Sequence, residues 1–456
     1  MGSRHFPART VLFERETSGV TYRVPALLHI PCVAKLLAFA EERLSVDDAH
    51  ANLLVLRRGT FYKNFVEWED MRALETATLA HHRSMNPCPI YDELTGMVFL
   101  FFIAVLGRTP EAFQIITGQN AARLCYVSSS DQGISWSHAT DLTQQVIGRA
   151  INGTEALVVV ADVRQEMGCD DHGQSWHYGE FIPNLQTVEC QMVSVDEEDG
   201  TNVLYCNARS PLGFRVQALS TDDGAVFNSG QLVQRLVEPP HGCHGSIIGF
   251  PAPLYYMHHN VCRFQGATWS VKGVGFQQQS ENDERPQPFC SPPTTSLFHL
   301  SLRDHITSYT ADTSQEHHEA RTISKSDIYF KIPTWVLYSH PTSPRSRVNL
   351  GVYLSTFPRD ADSWSEPWII YEGPSAYSDL AYIELPYSDF SITGIPAIAF
   401  ACLYENGVRT PYEQISFSMF TLHEVLQNIP LATSSVGLKQ SACGKSKRRG
   451  KSCILF

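Results

Sequence analysis

A chain of 456 residues with 43% hydrophobic residues is long enough for one large or two ordinary domains around a sizeable core. Its formal net charge of -12 disfavours nucleic acid as a general partner. Twelve cysteines occur without a CxxC pair, many inside apolar runs such as Leu124-Cys125-Tyr126 and Tyr205-Cys206-Asn207; they read as reduced, buried thiols of a cytosolic-side protein and argue against a disulfide framework or a zinc site.

Met1 to Thr10 carries basic residues but no apolar run, so no secretory signal is expected. Val11 to Glu14 predicts a short strand, Tyr22 to Ile30 a second that stops at Pro31, then Leu36 to Glu42 and Leu53 to Arg58 before Gly59. Met97 to Leu106 is the most apolar run. It has about half the roughly 20 residues of a spanning helix, is rich in Phe, Val and Ile, and lies between Gly96 and Gly107, so it predicts a buried strand. Thr140 to Ile147 and Leu422 to Asn428 predict the two short helices. The many short strands between Gly, Pro, Asn and Asp argue for an all-β sandwich, barrel or propeller.

A repeat chooses among these. Ser129-Ser130-Asp131-Gln132-Gly133-Ile134-Ser135-Trp136 fits S-x-D-x-G-x-[ST]-[WF]; Cys169 to Trp176 fits with Cys for Ser, and Ser220 to Phe227 with the penultimate position relaxed. Asp caps a tight turn, Gly supplies a positive φ, and the aromatic anchors the turn in the core. Repeated hairpins of this size fit propeller blades, and the boxes mark blades, not a site. Residues 252–331, rich in Gln, Ser, His, Pro and Thr, read as a loose, partly disordered insertion. Its His258-His259 and His317-His318 pairs lack Cys or carboxylates at ligand spacing and read as solvated loop histidines.

Three arginines stand singly among strand-like residues: Tyr22-Arg23-Val24-Pro25, Asn207-Ala208-Arg209-Ser210 and Ser346-Arg347-Val348-Asn349. With the Tyr in Gly373-Pro374-Ser375-Ala376-Tyr377-Ser378-Asp379 they suggest a site assembled from several repeats. Arginines, boxes and tyrosine together resemble the vertebrate cytosolic and membrane-associated sialidases. The resemblance covers nearly all of the chain up to residue 430 outside the insertion and the short stretch described below. It implies a six-bladed β-propeller and retaining exo-hydrolysis of terminal α-linked sialic acids from gangliosides, glycoproteins and oligosaccharides, with no metal or organic cofactor.

The same resemblance assigns roles. Arg23, Arg209 and Arg347 match the arginines that hold the substrate carboxylate, work suited to a planar, always-charged fork. Glu405 matches the residue that orients Arg23. Tyr377 matches a tyrosine nucleophile and Glu189 its base; an ordinary phenol with a pKa near 10 needs such a partner. A neutral nucleophile also avoids repulsion by the carboxylate on the anomeric carbon. Asp48 matches the general acid, its spacing from Arg43 favouring it over Asp47. Glu41, Arg43, Met85 and Asn86 match residues that line or support the sugar pocket.

Two features depart from the simplest form of this family. The interval Arg149 to Gly168 is shorter than in related enzymes and offers one strand, Ala156 to Ala161, so the second blade is open to truncation. That leaves an alternative standing: a catalytically impaired form that acts as a sialoside-binding or interaction propeller. The flexible basic tail, residues 431–456, ends in Cys453-Ile454-Leu455-Phe456 after five basic residues, Lys445 to Lys451. This fits a C-a-a-X box with Cys453 as lipid acceptor, terminal Phe favouring geranylgeranyl. Prenyl group and basic patch together would supply the two signals that stable membrane binding needs. The expected location is intracellular, cytoplasmic and peripheral on membranes, with the lysosome or another organelle open.

Overall fold

The computed structural model describes residues 5–62, 65–148, 167–168, 171–178, 182, 185–197, 199–222, 224–253, 332–385 and 397–429. The predicted strand Ala156–Ala161, the His258-His259 and His317-His318 pairs and the tail with Cys453 lie outside them, as does nearly all of the 252–331 insertion.

Strand β1 (Arg9–Glu14) is followed by a sheet of β2 (Thr21–Ile30), β3 (Lys35–Arg43), β4 (Ala51–Tyr62) and β5 (Phe65–Trp68), with β6 (Arg72–Ala73) also on β4. The second sheet is β7 (His82–Asp92), β8 (Met97–Leu106), β9 (Ala122–Ser129) and β10 (Thr140–Asp141). A third contains β11 (Met167–Gly168) and β12 (His177–Tyr178). The fourth is β13 (Cys190–Asp196), β14 (Asn202–Ala208), β15 (Phe214–Ser220) and β16 (Gln231–Val237). Then come β17 (Ser246–Pro251), β18 (Thr334–Pro341), β19 (Val348–Ser355), β20 (Trp368–Leu385), β21 (Ala397–Asn406) and β22 (Gln414–Thr421) in one hydrogen-bonded series that β1 closes. The 18-residue β20 serves two sheets: Trp368 to Pro374 pair with β19, and Ser375 to Leu385 pair with β21. Among the described residues the strands form six antiparallel sheets, each pairing strands in chain order. The first strand completes the last sheet, so the ring is closed by hydrogen bonds between the two ends of the fold.

Helix α1 (Glu111–Thr117) lies between β8 and β9, and α2 (Leu422–Asn428) ends the described chain. The expected helix at Leu422–Asn428 is present. It begins at a capping box in which Thr421 and Glu424 bond reciprocally. The expected helix over Thr140–Ile147 is corrected. Thr140 and Asp141 pair with β9, and only Thr143–Ile147 coil, as a π-helical turn; the Thr143 hydroxyl is spent on the Leu124 amide.

Packing lies between adjacent sheets. Leu37, Phe39 and Leu56 of the first sheet meet Leu100 and Phe102 of the second, and Met97–Leu106 is a buried strand as predicted. All three boxes form the same turn. Asp131 accepts from the Ile134 and Ser135 amides and the Ser135 hydroxyl, Asp171 from the Gln174 and Ser175 amides, and Asp222 from the Val226 amide. Gly133, Gly173 and Gly224 have φ of 78, 87 and 88°. The residue after each aromatic anchor then bonds the strand before the turn, as Ser137 does with Ser128 and Asn228 with Leu219. Ser355 to Ser365 repeats this geometry without the motif: Trp364 is the buried anchor and Ser365 bonds Leu354 in both directions. It is a fourth copy, lengthened by two residues, and its sequence hides it.

Polar contacts knit the inner strands. Asp379 on β20 accepts from the Leu27 amide on β2 at 2.7 Å, the Ser246 hydroxyl on β17 at 2.9 Å and the Gln191 amide group on β13 at 3.4 Å. A second network fixes the loop 238–243. Buried Glu238 accepts from Arg215 at 3.0 Å and from the Cys243 amide at 2.9 Å, with His340 Nε2 3.0 Å away. Burial pushes the Glu238 carboxyl up, but His340 and Arg215 outweigh it and hold the pKa at about 2. That loop turns through two left-handed residues, His241 and Gly242.

Two stability predictions follow from these contacts. Burial would raise the Asp131 pKa, but hydrogen bonds from Ser135 outweigh it and bring it from 3.8 to about 2. Its stabilisation is therefore complete above pH 3.8 and lost as pH falls through 2. Asp131→Ala should cost about 1–2 kcal/mol at pH 7, and in urea titrations the gap from the native chain should close as the buffer is acidified toward that range. Glu238→Ala strands buried Arg215 without its carboxylate and should cost about 3–5 kcal/mol by the same assay; a loss below about 1 kcal/mol would mean the network is not holding the loop.

Candidate active site

Strand breaks place the candidate side chains. In β20 the pairing with β21 skips between Ser375 and Ser378, so Ala376 and Tyr377 sit on a bulge where the strand passes from one sheet to the next. Similar irregularities follow Arg23 in β2, Met85 in β7 and Val348 in β19. These three carry a left-handed residue, Val24 (φ 53°), Asn86 (φ 54°) and Asn349 (φ 60°), and Gly373 (φ 116°) precedes the bulge in β20. Three of these directly precede a proline, Pro25, Pro87 and Pro374. Proline cannot donate to a ladder, and a bulge re-aims the neighbouring side chain. Val24 is β-branched, so its positive φ is strained and must be held by its surroundings.

Two buried carboxylates hold it and its counterpart in β7. Glu405 Oε1 accepts from the Val24 amide at 2.9 Å and from Arg23 Nε at 2.6 Å; its Oε2 accepts from the Tyr377 amide at 3.2 Å. Glu41 accepts from the Asn86 amide at 2.6 Å and from Arg43 Nε at 2.7 Å. Neither glutamate side chain has any solvent exposure. Each thus satisfies an amide freed by a bulge and pins an arginine at once.

Tyr377, half-buried, donates its hydroxyl to Glu189 Oε1 at 2.5 Å. Arg209 Nη1 reaches both, at 2.8 Å to Glu189 Oε2 and 2.9 Å to the Tyr377 oxygen. Burial, then the charge of Glu189, raises the Tyr377 pKa well above 10. Burial would raise that of Glu189, but Arg209, His244 and the Tyr377 hydroxyl bring it below 4.5. The pair rests as a neutral phenol against an ionised carboxylate.

The other two arginines face the same ring. The guanidinium carbons of Arg23 and Arg347 lie 5.6 and 5.5 Å from the Tyr377 ring centre. Arg347 donates to the Gly242 carbonyl at 2.9 Å, and Arg209 to the His241 carbonyl at 2.7 Å, so the 238–243 loop holds both. A Cβ on Gly242 would stand 2.8 Å from Arg209 Cγ. Each guanidinium is fixed from behind.

Asp48 opens a short 3-10 turn, Asp48–His50, and its exposed carboxylate pairs with Arg43. Neighbouring Asp47 spends its side chain capping that turn through the Ala49 amide at 2.9 Å, which separates the two aspartates. Met85 and Asn86 are half-buried on the β7 bulge, held by the same Glu41 that holds Arg43. Arg23 and Glu41 are cross-strand neighbours, so the Asp48 cluster adjoins the arginine cluster. The structure therefore brings every predicted residue except Cys453, which it does not describe, to one end of the inner strands.

Five further residues belong to this arrangement and escape the sequence reading. Tyr412 accepts from Arg347 at 3.1 Å and lies under Arg23 at 3.9 Å. His241 and Gly242 contribute through their carbonyls, which no side-chain pattern reports. The His244 ring stacks obliquely 5.2 Å from Tyr377. Glu111, on exposed α1, has its carboxyl pushed up by partial desolvation and by the charges of Asp48 and Glu189. The signal available for Tyr412 and His241 was proline, in Thr410-Pro411-Tyr412 and Pro239-Pro240-His241.

Comparison with known proteins identifies the family and the fold. A model of the BNR repeat-like domain matches residues 34–242, the span that contains the three boxes. Sialidase-4 of Mus musculus is 44% identical over 491 aligned residues, covering 97% of this chain and 99% of that protein; sialidase-4 of Homo sapiens is 43% identical with the same coverage. Sialidase-3 of Homo sapiens is 38% identical, over 94% of this chain and 96% of its own. Among solved structures, the Hadza microbial sialidase Hz136 superposes with a TM-score of 0.57 at 16% identity (91% of this chain, 69% of that one). The intramolecular trans-sialidase from Ruminococcus gnavus gives 0.55 at 13% identity (91% and 98%). The structural likenesses carry the fold, whose six sheets are propeller blades, and the sequence likenesses carry the family: this chain belongs to the sialidases, and is a glycoside hydrolase.

Proposed function

We propose that the chain removes terminal α-linked sialic acids from gangliosides, glycoproteins and oligosaccharides, with retention of configuration. The observation that carries this reading is the 2.5 Å bond from the Tyr377 hydroxyl to Glu189, with Arg209 bridging both. Arg23, Arg209 and Arg347 receive the substrate carboxylate, which places the anomeric carbon beside the Tyr377 ring. Tyr377 attacks that carbon as Glu189 takes its proton, while Asp48 protonates the departing glycosidic oxygen. Attack by the phenol makes a neutral nucleophile usable next to a carboxylate, and Glu189 supplies the base it needs. Asp48, now a carboxylate, removes a proton from water. The resulting nucleophile displaces the Tyr377 oxygen, which recovers its proton from Glu189. Two inversions give net retention.

The basic tail and Cys453 support a second part of the reading: peripheral attachment to an intracellular membrane, cytoplasmic or organellar, through a prenyl group and five basic residues. Attachment would bring glycolipid headgroups to the site.

Tyr377→Phe should lower kcat on a fluorogenic α-sialoside by about a thousandfold while the protein still binds a sialic acid analogue; a variant as active as the native chain would remove Tyr377 from the chemistry, and loss of binding with loss of turnover would point to a structural role. Asp48→Asn should cost between about a hundred- and ten-thousandfold on poor leaving groups, and much less on an activated aryl leaving group. Because the Glu189 pKa lies below 4.5, its base form persists at mildly acidic pH. A pH profile of kcat/KM should show no loss from Glu189 above that value; an acid limb above it that disappears in Glu189→Gln would contradict this.

A further inference from the structure

Beyond the arginine cluster lies a cavity of about 520 Å³, within the range of small-ligand sites. Arg347 and Tyr412 form the wall it shares with the proposed sialic acid cleft. Its other walls come from separate parts of the chain and include Pro239, Pro240, Pro374 of β20 and Pro411. Prolines have one fixed backbone torsion and no amide donor, so these walls are stiff, apolar and poor in hydrogen bonds. Such faces suit the CH faces of a sugar ring.

Half of the polar side chains lining it are arginines. Arg345 and Arg409 join Arg347 there. Arg345 is exposed, and its backbone amide is held by Ser343 Oγ at 3.2 Å. Arg409 has Glu413 near it at 3.7 Å, but 88% of its side chain is exposed. Glu413 is occupied elsewhere: its two oxygens accept from the Val408, Arg409 and Thr410 amides at 2.8, 3.0 and 3.1 Å. That carboxylate shapes the loop, and most of the Arg409 side chain stays exposed beside the cavity. A chain with 47 acidic and 35 basic residues has thus gathered three arginines around one cavity. Three cationic side chains on one cavity favour an anionic occupant.

We propose that this cavity is a second anion subsite, which takes a further acidic sugar, bearing a carboxylate or a sulfate, next to the sialic acid being cleaved. The proposal rests on the sialidase reading of the adjoining cleft and adds a substrate preference to it. Arg347 would be shared between the two sites, while Arg345 and Arg409 belong to the second alone. Neither contacts Tyr377, Glu189 or Asp48, so both can be removed without touching the proposed chemistry.

The test compares the full chain with an Arg345→Ala/Arg409→Ala variant on three substrates: 3'-sialyllactose, with a neutral aglycone; an α2,8-disialyl lactose, with a second carboxylate; and a 6-sulfated sialyllactose. The variant should lose about tenfold in kcat/KM on one or both diacidic substrates, stay within about twofold on 3'-sialyllactose, and show a smaller difference as salt is raised. Which diacidic substrate suffers tells carboxylate from sulfate. An equal loss on all three substrates, or no loss on any, overturns the subsite. If the native chain cleaves none of the three, the hydrolytic reading fails separately. Calorimetric binding of the same oligosaccharides then decides: a preference for a diacidic ligand that the variant lacks supports the subsite, and equal binding of all three overturns it. Melting temperatures of the two proteins, expected to agree because both positions are exposed, guard against a folding artefact.

Discussion

One buried carboxylate governs the geometry of the site. Glu405 holds Arg23, the amide of strained Val24 and the amide of Tyr377 simultaneously. The first two lie at the start of the chain and the third near its end, so the bond network also spans the seam where the ring closes. Removing two charges from water is costly and is recovered only when geometry is good and the remaining lone pairs are used. Here they are used, by amides that the bulges have released from the sheet. The strain at Val24 and the burial of Glu405 are therefore two sides of one arrangement, in which a sheet gives up regular pairing to aim side chains inward.

The same economy recurs around the ring. Glu41 does for Asn86 and Arg43 what Glu405 does for Tyr377 and Arg23. Glu238 does it at one remove, through a loop whose carbonyls hold Arg209 and Arg347. The irregularities in β2, β7 and β20 each have an amide taken up by a buried carboxylate, Glu405 for Val24 and Tyr377 and Glu41 for Asn86. Charge is distributed to match. Arg209 neutralises Glu189 enough to keep it ionised, which in turn keeps the Tyr377 phenol protonated at rest. The proton sits on the Tyr377 oxygen, 2.5 Å from the Glu189 carboxylate.

Much of this was legible in the sequence, because hairpin turns and arginines in strands leave local marks. The boxes at Asp131, Asp171 and Asp222 require Asp, Gly and an aromatic at fixed offsets, and they mark the sheets where the structure has them. The copy ending at Trp364 does not need that spacing, since two inserted residues lengthen the turn while Ser365 still closes it; its signal is geometric. Thr140–Ile147 looked helical because its apolar positions suit a helix, but β9 offered Thr140 and Asp141 a partner, and pairing across strands is invisible to a local window. Helix α1 was overlooked for the opposite reason: Phe113, Ile115 and Ile116 are exposed, so its sequence lacks the one-sided pattern of a packed helix. Backbone carbonyls at His241 and Gly242 carry no residue-type signal at all. The prolines after Val24, Asn86 and Gly373 did carry one, as breaks within strands.

The central claim is that Tyr377, and no carboxylate, forms the bond to the sugar. Trapping tests it most directly. The native chain is incubated with a 2,3-difluorinated sialosyl fluoride, which slows breakdown of a covalent intermediate, then digested and analysed by mass spectrometry. The account predicts a sialosyl adduct on the peptide that contains Tyr377, absent from Tyr377→Phe. An adduct on Glu189 or Asp48 would contradict it, as would turnover-dependent inactivation that survives unchanged in Tyr377→Phe.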